Sequence, residues 1–174
     1  YETADHKEIE QNYGKAVQAM YPIKGKRTRH YAFYDELDIK QLSEDRLMED
    51  VFEDALKNGE FQLWYQPKVD PVTGNILGAE ALIRWKRPDG TMLSPGKFIP
   101  LFEKNGNITT LDEYVFRTVC AQQQRWLQAG AKLYPISVNI SRVSLYYSNV
   151  VDKYRELLNS FQLDPKYDHR ECYH

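Results

Sequence analysis

Residues 76–85 read Ile-Leu-Gly-Ala-Glu-Ala-Leu-Ile-Arg-Trp, and their alternation sets the fold. Side chains along a strand point to opposite faces in turn. Leu77, Ala79, Ala81, Ile83 and Trp85 therefore share one wholly apolar face, while Ile76, Gly78, Glu80, Leu82 and Arg84 share the other. In a β/α barrel the apolar face packs on helices and the mixed face looks inward, toward the ligand end. A charge on an inner face is costly unless it is paired or ligates a metal. Two readings stay open: Glu80 pairs with Arg84, or Glu80 is functional. A separation of roughly 13 Å between positions four residues apart on a strand disfavours direct pairing.

Upstream, residues 61–69 (Phe-Gln-Leu-Trp-Tyr-Gln-Pro-Lys-Val) read as a strand broken by Pro67, followed by a turn, Asp70-Pro-Val-Thr-Gly-Asn75. The link to 76–85 is too short for a parallel crossover, so the pair is expected to be antiparallel. Before it, Leu47, Met48, Val51, Phe52, Ala55 and Leu56 form one apolar stripe of a helix over 43–57. Ser43 is its expected N-cap and Asn58-Gly59 its stop.

Downstream, Ser94-Pro95 opens a short helix over 95–104, ended by Asn105-Gly106. Thr109-Thr-Leu-Asp-Glu113 has the form of a capping box for a long helix reaching Ala129 and closed by Gly130. Leu111, Val115, Val119 and Trp126 mark its expected buried face. Residues 134–140 form a third expected strand, with Ile136, Val138 and Ile140 on one face and Ser137, Asn139 and Ser141 on the other. Asn139 falls at its C-terminal end, where β/α barrels place ligand residues. It is either such a residue or a loop cap. A helix over 150–161 turns Val151, Tyr154, Leu157, Leu158 and Phe161 inward, and residues 168–173 make a poor strand candidate. Helices alternating with strands argue for an α/β fold with a mainly parallel sheet. A full (β/α)8 barrel needs about 250 residues, so roughly half of one fits here.

The chain has 174 residues, with 23 basic against 25 acidic and a formal net charge of -2. That excludes a polycationic footprint for a nucleic-acid polymer. Cys120 and Cys172 form no CxxC, so neither a zinc site nor a disulfide framework is indicated, and the expected compartment is the cytoplasm. No apolar run reaches the ~18 residues of a membrane span. Residue 1 is Tyr, which leaves open a start inside a longer protein, processing, or a start chosen for expression. Residues 4–19 look helical. A basic patch of Lys24, Lys26, Arg27 and Arg29 without a Gly-rich cradle reads better as a solvated loop than as a phosphate site, and Tyr31-Ala-Phe-Tyr34 reads as a short strand.

Several of these stretches carry a family resemblance. Tyr65-Gln-Pro-Lys-Val-Asp70, then Thr73 through Trp85 with Glu80-Ala81-Leu82 inside it, resembles the opening of an EAL domain. Leu93-Ser-Pro-Gly-Lys-Phe-Ile-Pro100, Phe102-Glu103 and Ile136-Ser-Val-Asn-Ile-Ser141 match the same family in the same order. The resemblance covers about 47 to 171 and implies a partial EAL-type (β/α) TIM-like barrel, truncated, with its first strand antiparallel. Residues 1–40 resemble the C-terminal end of a GGDEF domain and a linker, without any GGDEF active-site residue. Residues 41–174 are then the N-terminal half of an EAL domain.

EAL domains are phosphodiesterases that cut one bond of cyclic di-GMP to give pGpG, using two Mg²⁺ or Mn²⁺ ions. The resemblance places metal-binding residues on Glu80, Asn139 and Glu171, and substrate-binding residues on Gln66, Leu82 and Arg84. His174 stands where the family has a second Glu of the same motif. The family's Asp-Asp pair and Lys, with a later metal Glu and substrate Gln, would fall beyond residue 174. The expectation is therefore a fragment or truncated member, inactive alone and doubtful as a binder of two metals. The alternative is a degenerate domain that binds cyclic di-GMP or a protein without turnover. Half a barrel exposes strand edges, which the rest of a parent chain or a second copy is expected to cover.

Overall fold

The computed structural model describes residues 6–20, 39–146 and 149–163. The expected strands at 31–34 and 168–173, the basic patch, and Glu171 and His174 lie outside them. The chain divides into two units, Tyr1–Leu47 and Met48–His174. The first contains α1 (His6–Met20), along which Ile9, Tyr13, Val17 and Met20 are exposed.

The helix expected over 43–57 is two helices, α2 (Ile39–Asp50) and α3 (Phe52–Lys57), separated at Val51. Ser43 therefore lies inside α2 and is not its N-cap. Leu47 departs from the expected stripe and is 60% exposed, while Met48, Phe52 and Ala55 are buried. Strand β1 (Phe61–Val69) follows and pairs antiparallel with β2 (Ile76–Lys86), as the short link requires. The Asp70 carboxylate ties that link, accepting Val72 N at 2.8 Å and Thr73 N at 3.0 Å.

Pro67 does not break β1, because of its place in the register. Lys86 N donates to Glu60 O at 2.8 Å. Alternation from there makes Gln62↔Arg84, Trp64↔Leu82 and Gln66↔Glu80 the pairs that exchange backbone bonds. Pro67 faces Ala79 at a position whose backbone groups point away from the ladder, so its missing N–H costs nothing there. Ala79 N accordingly turns outward and donates to Pro135 O at 2.9 Å.

The sheet is mixed rather than mainly parallel. A two-residue strand, β3 (Met92–Leu93), adds antiparallel to β2, and β4 (Ile136–Val138) pairs with β2 in parallel. β4 is shorter than the expected 134–140 and fully buried. Helix α4 (Pro95–Asn105) starts at Pro95 as expected and stops at Gly106, whose φ of 88° is a left-handed cap. Helix α5 (Ile108–Gln128) has no capping box: its N-cap is Asn107, and no side chain caps it. Thr109 Oγ1 donates instead to Gly106 O at 3.1 Å. Helices α6 (Arg142–Leu145) and α7 (Val150–Ser160) complete the described part.

The apolar face of β2 supplies two packed clusters. At one end Trp85 meets Phe61, Phe98 and Phe102, with the Phe61 and Trp85 rings 4.7 Å apart, and Phe52 packs on Phe61 and Phe102 in the same cluster. At the other, Ala81 packs with Val115, Phe116 and Val119 of α5, Ile136 and Val138 of β4, and Leu157 and Leu158 of α7. Val151, expected inward, is 56% exposed. Trp126, expected buried, is half-buried, its ring tilted against that of Tyr65 with centroids 5.7 Å apart.

α5 and α7 are also joined by charge. Glu113 accepts Lys153 Nζ at 2.6 Å and Arg117 Nη2 at 2.7 Å, and these contacts hold its carboxyl below the usual value. A depressed carboxylate stabilises the fold above its unfolded pKa, and that contribution is lost as pH falls through the folded value. Lys153→Ala is expected to cost under about 1 kcal/mol at pH 7, the scale of a partly exposed pair. Below the folded value of Glu113 the variant and parent should be equally stable. Urea titrations at pH 7 and in acid check this, and an equal deficit at both would exclude the charge pair as its source.

Candidate functional site

The mixed face of the sheet brings the sequence-derived residues together. Register places Gln66 opposite Glu80, and Glu80 opposite Ser137. Paired residues share a face, so Gln66, Glu80, Ser137 and, two residues on, Asn139 lie on one side of β1, β2 and β4. Trp64, Leu82, Gln62 and Arg84 continue the same face toward the other end of the β1–β2 pair.

Asn139 Nδ2 donates to Glu80 Oε1 at 2.8 Å. Arg84 donates through Nη1 to the Ile83 carbonyl at 2.7 Å, so Glu80 is held by Asn139 and not by Arg84. Nor is Asn139 the loop cap. Ser141 caps α6, its side chain accepting Ser144 N at 3.2 Å. The guanidinium of Arg84 also lies 6.0 Å from the ring of Trp64, which is 56% exposed on this face.

A cleft of about 210 Å³ opens beside these residues, lined by Leu82, Arg84, Pro95, Ile99, Glu103 and Asn139 among others. Two further carboxylates reach its walls, Glu103 and Asp112. In the sequence Asp112 stands only as the fourth residue of the stretch 109–113 that has the form of a capping box. In the fold it is buried, accepting Ser144 Oγ at 2.7 Å and Ser141 N at 2.9 Å. Burial pushes its carboxyl above the usual value, and the two serines oppose that rise.

The donors suit a hard divalent cation in kind. Glu80 Oε2 and Asn139 Oδ1 are carboxylate and amide oxygens, the type such ions select. Among the described residues no group of three His, Cys, Asp or Glu side chains gathers as a metal site. Two oxygens supply part of one coordination shell, and further ligands would have to come from elsewhere.

The EAL domain model matches residues 49–167, more than half of the chain. The chain belongs to the EAL domain family. It is 33% identical over 153 residues to the bifunctional diguanylate cyclase/cyclic di-GMP phosphodiesterase MucR of Pseudomonas aeruginosa, a match covering 87% of this chain and 22% of that protein. It is 34% identical over 114 residues to the probable cyclic di-GMP phosphodiesterase PdeB of Escherichia coli, covering 66% of this chain and again 22% of the relative. A solved structure described as the PaMucR phosphodiesterase in a c-di-GMP complex superposes with a TM-score of 0.64 at 35% identity, over 70% of this chain and 49% of that one. The EAL chain thus spans about a fifth of the curated relatives and about half of the solved domain. Its mixed sheet is part of the TIM-like EAL architecture. Among the described residues no helix is long and apolar enough to cross a membrane.

Proposed function

We propose that this chain contributes the first part of an EAL site for cyclic di-GMP, and that it does not complete the hydrolysis by itself. The observation that carries the reading is the Glu80–Asn139 contact across β2 and β4, with Gln66 opposite Glu80 on the same face. In this reading Arg84 and Gln66 contact the nucleotide, and Leu82 lies against the guanine at the cleft wall. Glu80 and Asn139 offer oxygens to Mg²⁺ or Mn²⁺, with Glu171 as a further ligand. Residues 1–40 are the end of a GGDEF domain and a linker, residues 41–174 the opening half of the EAL domain, and the setting is cytoplasmic.

The chemistry of the family is attack of water on phosphorus with cleavage of one P–O3′ bond, giving pGpG. A divalent ion held at Glu80 and Asn139 would offset phosphate charge and acidify a bound water. This chain's own residues orient the ligand: Arg84 brings a fixed cation and fork of donors to a phosphate, Leu82 an apolar wall to the base. The rest of a parent chain, or a second copy, would cover the open side of β4.

The second reading is binding without turnover, by a degenerate EAL domain that holds the nucleotide or a protein partner. What supports it is that Gln66, Leu82 and Arg84, the residues read as contacting the nucleotide, share one face of β1 and β2, an arrangement that binding alone requires. Calorimetric titration with cyclic di-GMP and chromatography of pGpG separate the two. The expected results are no pGpG with Mg²⁺ or Mn²⁺, and binding weakened about tenfold in Arg84→Ala, the scale of a charge-assisted hydrogen bond. Turnover that disappears in Glu80→Ala would overturn the claim of inactivity. Affinity indifferent to Arg84→Ala and Gln66→Ala would remove the site.

A further inference from the structure

We propose that Asp112 is a positioning residue that holds Asn139 against Glu80. The inference rests on the site reading above and adds to it a residue whose carboxylate oxygen Oδ2 is taken up by Ser141 and Ser144. Asp112 is 6% exposed, the fifth residue of α5 and just past its first turn. A carboxylate buried there needs partners, and it takes none from its own helix. Both donors come from the segment after β4: Ser141 N and Ser144 Oγ converge on the same oxygen, Oδ2. Ser141 and Ser144 are themselves joined, Oγ to Oγ at 3.2 Å and Ser144 N to Ser141 Oγ at 3.2 Å. The result is a closed set of four hydrogen bonds, with Ser144 buried at its centre.

Asn139 lies two residues before Ser141, between this set and the end of β4. It is exposed, and its side chain bonds to Glu80. The strand fixes one end of the 139–141 segment and Asp112 fixes the other. Without the second anchor, the backbone at Asn139 can rotate, and the 2.8 Å contact to Glu80 is lost.

The test is the ¹H–¹⁵N spectrum of the whole 174-residue chain, with the Asn139 side-chain amide assigned from its disappearance in Asn139→Ala. Asp112→Ala is expected to move that amide toward its position in Glu80→Ala. Ser144→Ala, which removes one donor, should move it less in the same direction, and Asp112→Asn, which keeps an acceptor oxygen, should restore it. Loss of stability alone would not shift this resonance in the folded population. In parallel, Asp112→Ala should weaken cyclic di-GMP binding about as much as Asn139→Ala, with the double variant no weaker than either, as residues acting through one another behave. An amide moved by Glu80→Ala but unmoved in Asp112→Ala and Ser144→Ala would overturn the inference and leave the site standing. An amide unmoved in Glu80→Ala would remove both. If Asp112→Ala does not fold, Ser144→Ala decides alone.

Discussion

Trp85→Ala is expected to cost about 3–5 kcal/mol, a large share of the stability of an ordinary domain. Trp85 is 0% exposed, and its ring lies 4.7 Å from Phe61, 5.6 Å from Phe98 and 5.8 Å from Phe102. Its Nε1 also donates to Glu60 Oε2 at 2.9 Å, so the truncation leaves both a void and an acceptor without its donor. The other buried rings of the cluster come from α3, β1 and α4, three elements that cannot close together on a methyl group without moving the strand. Trp85→Phe keeps an aromatic ring and removes the Glu60 bond, and should cost clearly less. Urea denaturation of both variants tests the argument. A Trp85→Ala chain within about 1 kcal/mol of the parent would show that this cluster does not anchor β2.

The alternation around Trp85 was legible because strand period is local: one face of residues 76–85 is apolar throughout, and the structure buries Ala81 and Trp85 on it. The same period placed Glu80, Leu82 and Arg84 together. What escaped was set by contacts distant in sequence. Pro67 looked like a strand break because its tolerance depends on which residue of β2 it faces. Met92–Leu93 and Arg142–Leu145 are too short to show any period. Asp112 sits in a stretch with the form of a capping box, and its acceptor role depends on serines 29 and 32 positions away. Even the Glu80–Asn139 contact, spanning 59 positions, entered the sequence reading only through family resemblance and the face each residue occupies.

Gly78→Ala is expected to damage the fold and the site together, through one atom. A Cβ built on Gly78 would stand 2.6 Å from Pro135 O, with the Pro135 carbonyl carbon at 3.6 Å. That obstacle is backbone, and the same oxygen accepts Ala79 N at 2.9 Å, so it cannot swing away without breaking the bond that starts the β2–β4 pairing. Overpacking of this kind costs about 1–3 kcal/mol. The consequence for function is larger, because β4 carries Ser137 to Glu80 and Asn139 just beyond it by that pairing. Displacing the start of β4 should expose the Ala79 amide to hydrogen exchange and separate Asn139 from Glu80. Gly96→Ala is the matched control, since a Cβ there meets nothing within 4 Å. Exchange at Ala79 that stays slow in Gly78→Ala, as it should in Gly96→Ala, would mean that β4 is held to β2 by something other than this close approach.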